Sequence, residues 1–218
     1  MKNEISTFIL SAAFMVPMSK ENWTELKFGK IKANTVTYSE NKITVDVQKS
    51  ASPLIYKLEK SMLLNEFDFE IQIKGKIISD ETSFSEDSYF RLGLVAEGEK
   101  KLSGMKKMFA PDWVKKLFSL APEGVGLDKI YFFNVMSGNQ KLKAHRIHPK
   151  SELMEESIVA LNTAEDGKIK VNHKLTQPLK ISALWISIDG DDTKSDFKAE
   201  IQKINLNSVG ESSNTSRF

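Results

Sequence analysis

Residues 180–206 read K-I-S-A-L-W-I-S-I-D-G-D-D-T-K-S-D-F-K-A-E-I-Q-K-I-N-L. From Ile181 to Ile188 apolar side chains occupy both faces of an extended segment, interrupted only by Ser182 and Ser187, as in a strand covered on both sides. This segment is expected at the centre of the core. The acidic stretch Asp189 to Asp196 then turns the chain. Phe197, Ala199 and Ile201 alternate with Lys198, Glu200 and Gln202, the pattern of a half-buried strand. The reading is a β-hairpin with Asp189, Asp191, Asp192 and Asp196 at its tip.

Outward from this stretch, short strand patterns follow one another. Val36 and Tyr38, a Ser-Glu-Asn-Lys turn, and Ile43, Val45 and Val47 predict a hairpin. Pro53 argues against a central strand at L-I-Y-K-L, because proline cannot donate to a ladder. Phe67, Phe69, Ile71 and Ile73 alternate with charged residues and predict a strand with one wet face. Tyr89 to Val95 and Lys129 to Val135 read as further strands, and residues 77–87 as a polar loop. His145 to Glu156 looks irregular, Ser157 to Asn162 suits a short helix or strand, and Asp166 to Leu175 is polar. Between Lys100 and Asp128, Phe109, Trp113, Val114, Leu117, Phe118 and Ala121 recur at helical spacing with Pro111 placed for a first turn. The sum is roughly nine to eleven strands with one or two short helical insertions, an all-β chain forming an antiparallel, jelly-roll-like β-sandwich.

The chain has 218 residues, with 31 basic and 29 acidic side chains, so no global field recruits nucleic acid or an anionic membrane. The absence of cysteine excludes disulfides, thiolate metal sites and thiol nucleophiles. Lys2 followed by an apolar run from Ile5 to Met18 resembles a secretory signal peptide, although Glu4 offsets Lys2 and no clean small-x-small cleavage site follows. A buried first strand or helix is the competing reading of that run. The expected organisation is a leader over 1–19, one sandwich domain over 20–207 and a mobile tail over 208–218, in a periplasmic or secreted protein. No other stretch is long enough for a transmembrane span.

Several segments resemble a family of bacterial exported domains of unknown function, numbered 3047. They are I-T-V-D-V-Q-K-S-A-S-P-L-I-Y-K-L, E-D-S-Y-F-R-L-G-L-V, K-I-Y-F-F-N-V and the hairpin stretch itself, together spanning most of Ile43 to Leu206. The resemblance implies a sandwich and export, and lends no catalytic residues. The chain departs from it at Phe67 and Phe69, where tryptophans are common in the family, and in the segment 100–128.

Four constellations are candidates for function. Asp189, Asp191, Thr193, Ser195 and Glu200 follow the spacing of a calcium loop, but Lys194 stands where that loop needs glycine. Calcium is therefore one reading of Asp189, Asp191, Asp192 and Asp196, and a solvated turn the other. Glu66, Asp68 and Glu70 share one strand face, as do the acid and nucleophile of a retaining glycoside hydrolase, whose carboxyls lie about 5 Å apart. Any amphipathic strand with a charged outer face gives the same motif. Tyr89, Arg91 and Trp113 are candidate ligand-binding residues for a glycan or another envelope component. The basic, Met-, Phe- and Trp-containing segment Met105 to Ala121 could dock on a membrane or partner, or cap the sandwich with its lysines in water. His145, His148 and His173 form no recognisable site by spacing. The expectation is a non-catalytic ligand- or glycan-binding module, with a glycosidase or lyase and an envelope-docking protein as alternatives.

Overall fold

A computed structural model describes residues 11–78, 86–138 and 143–209. In chain order these form β1 (Ser11–Met15), β2 (Trp23–Glu25), β3 (Thr35–Ser39), β4 (Lys42–Gln48), β5 (Leu54–Gly75), β6 (Ser88–Gly98), α1 (Gly104–Phe109) and α2 (Asp112–Phe118). There follow β7 (Gly126–Ser137), β8 (His145–Ile147), β9 (Met154–Asn162), β10 (Asp166–Asp189) and β11 (Asp196–Val209). Among the described residues the strands hydrogen-bond as one continuous sheet in the order β3-β4-β11-β5-β10-β6-β7-β9-β8, with β1 on β11 and β2 on β5.

That sheet becomes a sandwich because β5 and β10 are long enough to belong to both layers. The second half of β5 pairs with β11 and with the first half of β10, whereas its first half pairs with β2 and the second half of β10, which in turn pairs with β6. Rings meet across the interior: Phe67 and Phe133 at 4.7 Å, Phe69 and Phe90 at 4.9 Å, Tyr89 and Phe197 at 5.2 Å. The core-facing residues of β10 are odd-numbered early (Ile169, Val171) and even-numbered later (Leu184, Ile186, Ile188). The register shift between Ile181, which still faces the core, and Ala183 makes this change of parity, since a slip of one residue turns a strand over. A second apolar cluster, with Ile130, Phe132, Ala183, Trp185 and Leu117, lies on the other face of the β6–β7 layer, where α2 covers it.

The sandwich expectation holds, and so does the β3–β4 hairpin. The 180–206 hairpin does not. β10 and β11 never pair: β5 lies between them, and residues 190–195 carry the chain from one layer to the other. Both segments are apolar enough to sit beside a third strand, and local sequence does not record which strand that is. L-I-Y-K-L opens a central strand despite Pro53, because Pro53 precedes the first ladder position and its carbonyl accepts from the Leu26 N–H at 2.9 Å. Residues 166–175 are strand, and 145–156 contains β8 and the start of β9. The sheet is antiparallel except for β7 with β9, which are parallel. The predicted helix is two short ones, broken at Ala110 and Pro111.

At the N-terminus, β1 pairs with β11 from Ser11↔Val209 to Met15↔Asn205, and Val16 and Met18 are buried. Residues 11–18 are thus built into the domain, and the rest of the expected leader lies outside the described residues. Ser208 and Val209 are likewise paired strand rather than mobile tail; 210–218 lie outside the described residues. Among the described residues no helix is long and apolar enough to cross a membrane.

Candidate functional site

The β7–β9–β8 part of one layer faces the first half of β10 in the other. Between them lies a groove of about 340 Å³. β7 places Tyr131 and Phe133 on the interior face by period-2 alternation, with Phe132 on the opposite one. β9 adds Glu155 and Ser157, β8 adds His145, and β10 adds His173. The remaining lining comes from residues 175–179, where β10 leaves its register with β5 between Lys174 and Leu179. Pro178 falls in that irregular stretch, where a missing N–H breaks no ladder bond.

The aromatic side is preorganised. His173 lies 5.3 Å from Phe67 and 4.9 Å from Phe133, ring to ring, and burial holds its imidazole below the usual value. The Tyr131 hydroxyl donates to Asp128 at 2.7 Å; burial, then that carboxylate, drives its pKa strongly upward, so the phenol stays neutral. Lys129 Nζ sits 5.6 Å from the Tyr131 ring centre and donates to Glu155 at 2.8 Å. His145 Nδ1 is 3.0 Å from Ser157 Oγ, and its Nε2 is 3.6 Å from Glu155. The groove therefore combines aromatic surface with polar groups fixed by partners, and among the described residues Glu155 is its one lining carboxylate. Such a surface suits ligands with flat apolar faces and hydroxyl edges. Among the described residues the lining does not bring together two carboxyls, the pair most glycoside hydrolases use.

The residues singled out from sequence are scattered. Tyr89 is 1% exposed; its hydroxyl accepts from the Ile77 N–H at 2.8 Å, so it is a core residue and not a binding aromatic. Trp113 is half-buried against the second apolar cluster. Arg91 lies on the face of its layer opposite the groove, in a network rather than a ligand site. Its guanidinium pairs with Asp189 and donates to the Glu86 carbonyl, and Nε is 3.7 Å from Glu156. Arg146 joins Glu156 at 2.7 Å and Glu86 at 3.7 Å, and Lys150 reaches Glu86 at 2.7 Å. Burial pushes the Glu86 carboxyl up, but Lys150, His148 and Arg146 outweigh it and hold the group below its usual value.

Glu66, Asp68 and Glu70 line the outer face of β5. Asp68 accepts from Asn205 at 3.0 Å and pairs with Lys203 at 3.2 Å; Glu70 is held between Lys168 and Lys170. Hydrogen bonds from these two lysines keep Glu70 below the usual carboxylate range, opposite to what a general acid needs. Among the described residues Phe69 is the one aromatic residue at the adjoining depression, and its ring is buried in the core.

The four aspartates do not share a tip. Asp189 belongs to β10 and is turned to Arg91, with Ser187 donating to it at 2.8 Å. Burial raises its pKa, with Arg91 opposing. Asp196 opens β11 opposite Gln48. The turn between is held by Asp87, which accepts from the Asp192 and Thr193 N–H groups at 3.3 and 2.7 Å and from the Thr193 hydroxyl. Lys194, at φ 56°, takes the left-handed backbone that the calcium-loop pattern assigns to glycine. Asp191 is raised by burial and by Asp192 and Asp87. Among the described residues no group of three or more histidine or carboxylate side chains is placed to hold a metal ion.

Sequence reasoning missed Tyr131, Glu155, His173 and Gln177. Tyr131 stood in a recognised strand, and His173 was read as isolated. Nothing local signals that strands forty residues apart share one groove.

No family model matches the chain, and no curated protein does. Solved structures of similar shape include the xylan-binding module CBM15, with 12% identity over 92% of this chain and 99% of that one, at a TM-score of 0.40. A family 11 carbohydrate-binding module from Clostridium thermocellum gives 10% identity over 94% and 98%, also at 0.40. The enzymatically active domain of bacteriophage CBA120 tailspike protein 4 gives 9% identity and 0.40, with 87% of this chain spanning 20% of the tailspike chain. At such identities and TM-scores, neither ligand nor site transfers to this protein.

Proposed function

We propose that the chain is a non-catalytic carbohydrate-binding β-sandwich, working in the periplasm or outside the cell, with the groove beside β9 as its glycan site. The observation that carries this reading is the groove's lining. Tyr131 and His173, half-buried over the core ring of Phe133, offer aromatic surface for sugar rings. His145, Glu155, Ser157, Thr176 and Gln177 supply donors and acceptors for hydroxyls. Because Tyr131 and Glu155 are already held by Asp128 and Lys129, little side-chain entropy remains to be lost on binding. The lining among the described residues supports binding by stacking and hydrogen bonds, which needs no pair of carboxylates.

Calorimetric titration with soluble xylan, β-glucan, mannan and pectin tests the reading. At least one should release heat, and Tyr131→Ala should weaken its binding about tenfold, the loss of one aromatic stacking partner. Gln177→Ala, at an exposed residue, should weaken binding without lowering the melting temperature. Silence with every polysaccharide, or affinity indifferent to both substitutions, would discard the groove as a glycan site.

A further inference from the structure

Helix α1 buries no side chain: Met105, Met108 and Phe109 are 75%, 65% and 78% exposed. Their i, i+3, i+4 spacing puts all three on one helical face, so an apolar stripe stands in solvent without a partner among the described residues. The neighbouring α2 behaves differently. It anchors the excursion, with Leu117 buried and Trp113 and Phe118 packed on the second cluster, and holds α1 outside the sandwich.

The charges around this stripe are mostly positive. Between Lys100 and Phe118 there are six lysines and a single acid, Asp112. Asp112 pairs with Lys115, and Lys100 with Asp128. Lys101, Lys106, Lys107 and Lys116 make no ion pair among the described residues. We propose that α1 is a docking surface for an anionic membrane, with Met105, Met108 and Phe109 entering the boundary between headgroups and acyl chains and the four free lysines meeting lipid headgroups. Apolar insertion and headgroup attraction together are what hold a short interfacial helix. The charge excess selects an anionic lipid over a neutral one. The glycan groove is on the opposite face of β7, where Tyr131 and Phe133 point away from the Ile130 and Phe132 side that α2 covers, so docking through α1 leaves the groove uncovered.

The test is co-sedimentation of the full chain with vesicles of phosphatidylcholine containing about one-third phosphatidylglycerol, against pure phosphatidylcholine. Partition is expected onto the anionic vesicles alone, falling as salt rises from about 50 to about 500 mM. Met108→Glu with Phe109→Glu, and separately Lys106→Glu with Lys107→Glu, should each reduce it about tenfold or more. Both pairs should melt with the parent, because α1 contributes nothing to the core. Equal partition onto both vesicles, partition unaffected by either pair, or no partition, including the case in which Lys106 and Lys107 instead capture an acidic protein, would overturn the proposal.

Discussion

Replacing Arg91 by Met probes whether the ionic network behind β6 holds the two ends of the sandwich together. The side chains of Arg91, Asp189 and Glu156 are 11%, 13% and 4% exposed, so all three charges are withdrawn from water. Removing Arg91 leaves Asp189 with Ser187 as its side-chain donor among the described residues, while Glu156 keeps Arg146. Breaking a buried pair in this way costs about 3–5 kcal/mol. With a urea slope of about 2–3 kcal/mol/M, the midpoint should fall by about 1–2 M. Adding Asp189→Asn should recover about 1 kcal/mol or more, because the stranded charge goes too. The pH dependence follows from the raised pKa of Asp189. A carboxyl raised on folding contributes stability that is full below its unfolded value of 3.8 and is lost as pH climbs through its folded value. Without Arg91 that folded value moves higher still, so the variant's deficit should be large near neutral pH and shrink on acidification toward about pH 4. Urea unfolding by fluorescence across that range decides it. A deficit under about 1 kcal/mol at neutral pH, or one independent of pH, would refute the argument.

Other perturbations reach different parts of the molecule. A Cβ on Gly93 would sit 2.6 Å from the Trp185 carbonyl oxygen and 2.7 Å from Ile130 and Phe132, so Gly93→Ala should cost about 1–3 kcal/mol; an unshifted thermal midpoint would contradict the packing of β6. Deleting residues 1–19 strips β1, Val16 and Met18, and loss of the two buried side chains alone should cost about 3–6 kcal/mol. A truncated chain that melts with the parent would return those residues to the role of a detachable leader. Millimolar calcium should leave the melting temperature unchanged against a chelator control, since Asp189 is engaged by Arg91 and the turn by Asp87. A rise that Asp191→Asn abolishes would restore the acidic turn as a cation site.

The sequence by itself determined what depends on neighbours along the chain. Alternation at Glu66 to Lys74 and at Phe197 to Ile201 set the inward faces correctly, because side-chain direction in a strand is a local property. The β3–β4 hairpin was equally legible, its turn being only two residues long. The double-faced apolar run 181–188 announced a central strand, and it is one. Partnership was decided only in three dimensions. The run pairs with β5 and β6 instead of the segment that follows it, because β5 offers an apolar neighbour to both β10 and β11. The parity changes in β5, β10 and β11 lie at register shifts that depend on paired strands, so His173 gives no sign in sequence of joining Tyr131 and Phe133. The aspartates illustrate the same division. Their nearness in sequence suggested a shared cation, but once the chain crossed between layers, Asp189 faced Arg91, ninety-eight residues away, and a buried carboxylate is governed by the charge it meets in space.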